Sequence, residues 1–140
     1  MQQALIARIV SGELMSREGQ IEEFNQYQDN SYDYDKGEYT VTPMPDHLHI
    51  FLSAYTYEDY SGYGWLVGYD TEQQMFFTNS GSHCSCYGLE DQWDIEYYSF
   101  EQLLEVTQRI VDNDDGDRYG DSDREHAKVQ VELLKLLKGE

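Results

Sequence analysis

The sequence predicts a single α+β domain, residues 1–140, built as an antiparallel β-meander of about three to five strands flanked by N-terminal and C-terminal helices. Three observations predict it. Apolar residues recur at helical spacing at both ends of the chain, they alternate with polar residues in the middle, and Gly, Asp and Asn cluster between the alternating runs. A chain of 140 residues is long enough to bury its own core without disulfide staples.

Residues 2–28 read as helical, with Leu5, Ile6, Ile9 and Val10 forming one stripe. Gly12 and Gly19 interrupt that stripe, so a second short helix is expected from Gln20 to Gln28 with Ile21 and Phe24 facing inward. Gln28–Gly37 is a polar loop rich in Asp and Tyr. A short strand, Glu38–Thr42, ends at Pro43. His47–Tyr57 alternates, with Leu48, Ile50 and Leu52 on one face and His47, His49, Phe51 and Ser53 on the other. Tyr60–Gly64 carries turn residues, and Trp65–Tyr69 and Gln74–Thr78 follow as strands joined by the hairpin loop Asp70–Gln73. Asn79–Gln92 reads as a long loop, and Trp93–Tyr97 as a further strand. Ser99 and Gln102 have the spacing of a capping box, opening a helix striped by Leu103, Leu104, Val106, Ile110 and Val111. After an acidic loop at Asp112–Asp121, a last helix starts near Ser122, with a second capping box through Glu125, and ends at Gly139. Its apolar residues, Val129, Val131, Leu133, Leu134, Leu136 and Leu137, wrap further round than one face needs. That breadth fits either a fully buried helix or a homodimer formed through it.

Charge is the strongest functional signal. The chain carries 28 acids against 9 bases, a formal net charge of −19. Such an excess repels nucleic acid and anionic lipid and attracts basic protein surfaces. The expected partner is therefore a basic nucleic-acid-binding protein, with no direct nucleic-acid or membrane contact. No stretch approaches a membrane span, and the N-terminal apolar run is too short for a signal peptide. Cys84 and Cys86 are one residue apart, too close for a useful disulfide, so reduced thiols and a cytoplasmic location are expected.

The charge is also uneven. From Gly37 to Gln108 there is no Lys or Arg, against 12 acids and nine tyrosines. The expected contact residues are Glu58, Asp59, Tyr60, Asp70, Glu72, Glu90, Asp91, Asp94 and Glu96, placed at turns and strand ends where they should be exposed. Asp94 and Glu96 on one strand would make a short ladder of like charge, and such ladders cost stability. Carboxylates in rows suit a groove built for a duplex, whose charges fall about 1.7 Å apart along the axis. Tyrosines among them add contact area at low entropic cost. A plain solvated surface, or the general acidity of a halophilic protein, is the competing explanation.

Other motifs carry less. His83, Cys84 and Cys86 are candidate zinc ligands, with His47 or His49 completing the set, although zinc pairs usually have two to four intervening residues. A metal-binding enzyme or sensor built on them is one alternative function, and a thiolate nucleophile beside His83 is disfavoured by its anionic surroundings. Asp112-Asn113-Asp114-Asp115-Gly116-Asp117 resembles a calcium loop, but its Gly comes one residue early and Ser122 stands where the Glu belongs. Gly62-Tyr63-Gly64 lacks the rest of a phosphate-binding fingerprint. No catalytic residues are assigned, no cofactor is required, and the expectation is a non-enzymatic protein.

Two segments carry a family resemblance: Tyr57–Gly64 and Asn79–Trp93. They resemble a pattern of small bacteriophage-encoded proteins in which a YSG-G strand precedes a GSHCSCYGLE-QW loop. The resemblance covers about residues 55–100 and implies a phage context without assigning an activity or site residues. By analogy with anti-CRISPR and anti-restriction proteins, it suggests an inhibitor of a host defence enzyme acting in the host cytoplasm. A phage structural or assembly module is the other alternative.

Overall fold

The computed structural model describes residues 2–28, 32–39, 42–58, 61–84, 88–113 and 121–139, without the side chains of Tyr32, Tyr39, Glu58 and residues 121–125. Its elements are α1 (Gln2–Val10), α2 (Arg17–Gln26), β1 (Tyr32–Asp33), β2 (Glu38–Tyr39), β3 (Leu48–Glu58), β4 (Ser61–Asp70), β5 (Met75–Cys84), β6 (Glu96–Tyr98), α3 (Phe100–Asn113) and α4 (Asp121–Lys138). The fold is α+β: an antiparallel sheet in the order β3-β4-β5-β6 with helices before and after it. Of the expected strand at Glu38–Thr42, Glu38–Tyr39 form β2, which pairs with β1 in a two-stranded hairpin separate from the main sheet, and Thr40 and Val41 lie outside the described residues.

The central strands are longer than the sequence suggested. Gly62 and Gly64 look like turn residues and Asn79–Cys84 like the start of a loop, yet they pair across the ladder at Gly62↔His83, Gly64↔Gly81, Leu66↔Asn79 and Ser61↔Cys84. The reason is packing on one face. Gly62, Gly64 and Gly68 alternate with Tyr63, Trp65, Val67 and Tyr69 along β4, so the glycines share a face. Phe77 folds its ring over Gly68, the residue directly across from it, and a Cβ at Gly68 would lie 2.8 Å from Phe77 Cε1. At Gly64 a Cβ would meet the Tyr27 hydroxyl and lie 2.8 Å from Leu89 Cδ1. These glycines are spaces that neighbouring side chains fill, which is a recognised reason for glycine inside a strand.

The alternation expected of His47–Tyr57 is also broken. A bulge shifts the register between Ile50 and Leu52. Leu48 and Ile50 therefore face α2, while Phe51 and Leu52 both pack on the opposite face.

The sheet is covered on both sides. Leu5 and Ile9 of α1, Leu103 of α3, and Leu133 and Leu137 of α4 meet Phe51, Val67, Tyr69 and Phe76 on one face. Phe24 and Tyr27, with Leu89, Trp93 and Ile95 of the segment before β6, meet Leu48, Ile50, Leu66 and Phe77 on the other. The apolar breadth of α4 is used within the chain, since Leu133, Leu134 and Leu137 are buried and Val131 is exposed.

Helix ends follow local chemistry. Gly12, at φ 81°, lies just after α1. Gly19 does not interrupt α2, which starts earlier than expected because the Ser16 hydroxyl caps it by accepting from the Gly19 N–H at 3.1 Å. The capping box of α3 is present: Ser99 N–H donates to Gln102 Oε1 at 2.9 Å and Gln102 N–H to Ser99 Oγ at 3.1 Å. Gly139 N–H donates to Leu136 O after α4, while the side chains of Ser122 and Glu125 lie outside those described.

Helix α2 also closes one edge of the sheet. Buried Gln20 accepts from Ile50 N–H at 3.1 Å and from Arg17 Nη1 at 3.0 Å, and donates to Met15 O at 2.8 Å. Arg17 donates to Leu48 O at 2.6 Å and Pro45 O at 3.0 Å. Two polar side chains thus occupy backbone groups that an edge strand would offer to another chain. Gln20→Leu keeps the bulk but strands Ile50 N–H and Met15 O, and is expected to cost about 1–3 kcal/mol in a urea titration.

Candidate functional site

The acidic residues that the sequence singled out separate into distinct places. Glu90, Asp91 and Asp94 are exposed on the segment that packs over the α2 face of the sheet. Asp91 holds φ 62°, a left-handed conformation that Asp tolerates better than most residues. Glu96 is exposed at the sheet edge, in register with Thr78, and accepts from the Tyr98 hydroxyl at 2.9 Å. The expected Asp94–Glu96 ladder does not form, because β6 begins at Glu96. Glu72 is exposed in the β4–β5 turn, 3.5 Å from His47 Nδ1. The side chain of Glu58, and Asp59 and Tyr60, lie outside the described residues.

Asp70 corrects the expectation of exposure: it is buried, at 1%. Its Oδ1 accepts from the N–H groups of Glu72 and Gln73 at 2.9 and 3.2 Å, closing the hairpin turn. Its Oδ2 accepts from the Tyr97 hydroxyl at 2.8 Å. Burial, the hydrogen bond to Asp70 and the charges of Asp70 and Glu72 lift the Tyr97 phenol from its usual 10.0 to about 12. A folded pKa raised above the unfolded value adds stability that is complete below pH 10.0 and lost as pH rises toward about 12. Tyr97→Phe is therefore expected to be less stable than the parent at pH 8, with a gap that narrows across that alkaline range in thermal melts.

What the structure adds is a set of acids from a different part of the chain. Glu18 and Glu22 are exposed on α2, and half-buried Glu23 lies beside them. Burial raises the Glu23 carboxyl above its usual pKa, with Glu22 adding to the effect and a hydrogen bond with Ser53 opposing it. Helix α2 and the 88–95 segment form one layer. The Phe24 and Trp93 rings meet edge to face at 4.9 Å, and Gln92 N–H donates to Tyr27 O at 3.0 Å. Among the described residues of this layer the cation is Arg17, whose guanidinium is held by backbone carbonyls of Pro45 and Leu48. The helices on the other face are mixed in sign: Arg8, Arg109, Lys128, Lys135 and Lys138 stand among Glu101, Glu105 and Glu132. Arg109 pairs with Glu105 at 3.0 Å, and Arg8 with Glu13, just past α1, at 2.5 Å. Glu18 and Glu22 are obscured in the sequence because Arg8, Arg17 and Lys36 share the segment before Gly37; the available signal is Glu18 and Glu22 four residues apart on a helix whose Phe24 faces the core.

Among the described residues the candidate metal ligands do not come together. Successive strand residues point to opposite faces, so His83 and Cys84 on β5 diverge. Cys86 lies outside the described residues, as does the calcium-like loop beyond Asn113. His49 pairs with Tyr69 and His83 with Gly62, seven positions apart on β4, a separation of roughly 23 Å at ~3.3 Å per residue. Burial lowers the pKa of His49, with Arg17 and His47 adding to the effect. No group of three or more His, Cys, Asp or Glu side chains that could hold a metal occurs among the described residues.

His83 has a different role. Its ring lies across Gly62, where a Cβ would fall 2.6 Å from its Cε1. It stacks with Tyr55 at 5.8 Å and 13° and with Tyr57 at 5.7 Å and 21°. Nδ1 lies 2.6 Å from Cys84 O, and a carbonyl only accepts, so Nδ1 carries the proton. In the neutral ring Nε2 accepts from the Tyr55 hydroxyl at 2.5 Å. Beside these rings is a groove of about 260 Å³ lined by Gln26, Tyr55, His83, Gly88, Leu89 and Glu90. Gln92 holds its far wall, accepting from Ser82 N–H at 2.9 Å, donating to Ser82 O at 2.9 Å, and donating to Gly88 O at 3.3 Å. Gln92→Ala is expected to loosen the 88–92 segment, read as faster amide exchange at Gly88–Gln92, with α3 and α4 unchanged.

No helix among the described residues is long and apolar enough to cross a membrane. No protein-family model matches the chain, and no curated protein or solved structure matches it either.

Proposed function

We propose that this protein is a non-enzymatic inhibitor that occupies the basic nucleic-acid-binding surface of another protein, with the layer formed by α2 and residues 88–95 as its contact face. The observation that supports this reading is the unmixed sign of that layer. Glu18, Glu22, Glu90, Asp91 and Asp94 are exposed on it, and the guanidinium of Arg17 is turned into the sheet edge. Tyr55 and Tyr57, 47% and 52% exposed, project toward the same side of the sheet. Carboxylates with rigid aromatic contact area between them give long-range attraction and a local anchor. The phage setting and anti-defence role follow from the sequence resemblance and belong to the same proposal, as does action in a host cytoplasm.

The test is affinity capture from bacterial lysate with and without nuclease, followed by competition with the purified partner. The reading predicts a nuclease-resistant complex that weakens with salt and excludes labelled duplex or single strand from the partner. A partner that binds its nucleic acid unimpaired inside the complex would rule out mimicry.

A further inference from the structure

We propose that the groove beside His83 is a socket for an arginine guanidinium. The inference deepens the acidic-surface reading and rests on it for the source of the arginine, a basic partner protein. Its chemistry comes from the groove itself.

The walls offer a planar cation what it needs. Tyr55 and His83 present ring faces that are already near-parallel, at 13°. A guanidinium is flat, weakly hydrated and stacks on such faces, whereas an ammonium is a compact, strongly hydrated charge. At the rim, Glu90 Oε2 accepts from Gly88 N–H at 2.8 Å, which orients the carboxylate. A carboxylate has about four lone-pair sites, so Glu90 retains capacity for a forked N–H pair. Gln26 adds an amide from the end of α2, and buried Leu89 forms the apolar floor for the arginine stem. None of the described lining residues is cationic.

The stack is built in. Gly62 leaves room for the imidazole to lie flat, and the two hydrogen bonds of His83, to Cys84 O and Tyr55 Oη, fix its plane. A preformed stack spares the ordering cost that a mobile side chain would add on binding. The volume of about 260 Å³ is at the small end for ligand sites and suits one side chain rather than a cofactor.

The test is an NMR titration of the full chain with N-acetyl-arginine amide, its lysine counterpart and its neutral isostere N-acetyl-citrulline amide. The socket predicts saturable shifts of the Tyr55 and His83 ring signals with the arginine probe. The lysine probe should bind at least about fivefold more weakly, and citrulline should give no saturable shift. Glu90→Gln should weaken the arginine probe at least about fivefold, while Glu101→Gln, an exposed carboxylate on α3 outside the groove, should leave it unchanged. Equal responses to arginine and lysine, or an undiminished response in Glu90→Gln, would overturn the proposal. Arginine binding by a chain that captures no basic protein would leave the socket standing and remove the partner. Capture of a partner undiminished by Glu90→Gln, with no response to the arginine probe, would remove the socket alone.

Discussion

Changing Glu18, Glu22, Glu90, Asp91 and Asp94 together to lysine is expected to abolish partner binding and leave the fold intact. Juxtaposed like charges at an interface cost several kcal/mol, so a loss of at least about 100-fold in affinity is the expected scale. All five side chains are exposed. The Gly88 N–H bond to Glu90 is the contact most at risk, and it lies on a segment held independently by Gln92. The change also lowers the net negative charge, which relieves self-repulsion. Circular dichroism and the urea midpoint should therefore match the parent, while affinity by surface plasmon resonance collapses. Reversing the three exposed acids Glu101, Glu105 and Glu132 on α3 and α4 should change affinity far less than reversing any three of those five, and that contrast separates a local contact from a general effect of charge.

Gly68→Ala is expected to be the most destabilising single substitution in the sheet. A Cβ there meets the His49 carbonyl oxygen and the Phe77 ring. Phe77 is fully buried and the carbonyl belongs to the strand beside the bulge, so neither can move without disturbing β3 or β5. Overpacking of this kind costs about 3 kcal/mol, a large share of the ~5–15 kcal/mol that holds a domain folded. Gly62→Ala meets only the half-exposed ring of His83 and should cost less. Its expected effect is displacement of that ring, read as a change in the Tyr55 and His83 NMR signals. A Gly68→Ala protein as stable as the parent in urea would show that the ring-over-glycine packing carries no weight.

The legible parts of the sequence were those in which one local rule decides the outcome. The Ser99–Gln102 box, the terminal Gly139 and the β4–β5 turn follow from nearest-neighbour chemistry, and each is where the pattern put it. The failures share one cause. Gly62 and Gly64 look like turn residues when only their backbone freedom is considered, and they are strand residues because Tyr27, Leu89 and His83 fill the space above them. Their alternation with Tyr63 and Trp65 was the available signal. The bulge in β3 lies beside Ile50, whose N–H bonds to Gln20 thirty positions away in the sequence, and nothing near Ile50 announces it. Asp70 looked like one more surface acid because its two partners on the turn and its third on β6 appear only when the strands are assembled. The candidate surface was half legible. Glu90, Asp91 and Asp94 stood out by the lack of nearby bases, whereas Glu18 and Glu22 join them only through the packing of Phe24 on Trp93.

The most direct test of the contact face is carboxylate footprinting by mass spectrometry, comparing the chain alone with the chain bound to its captured partner. Glu18, Glu22, Glu90, Asp91 and Asp94 should be protected, with Glu101, Glu105 and Glu132 labelled as strongly in the complex as in isolation. Protection confined to the acids of α3 and α4, with α2 and residues 88–95 still fully labelled, would contradict it.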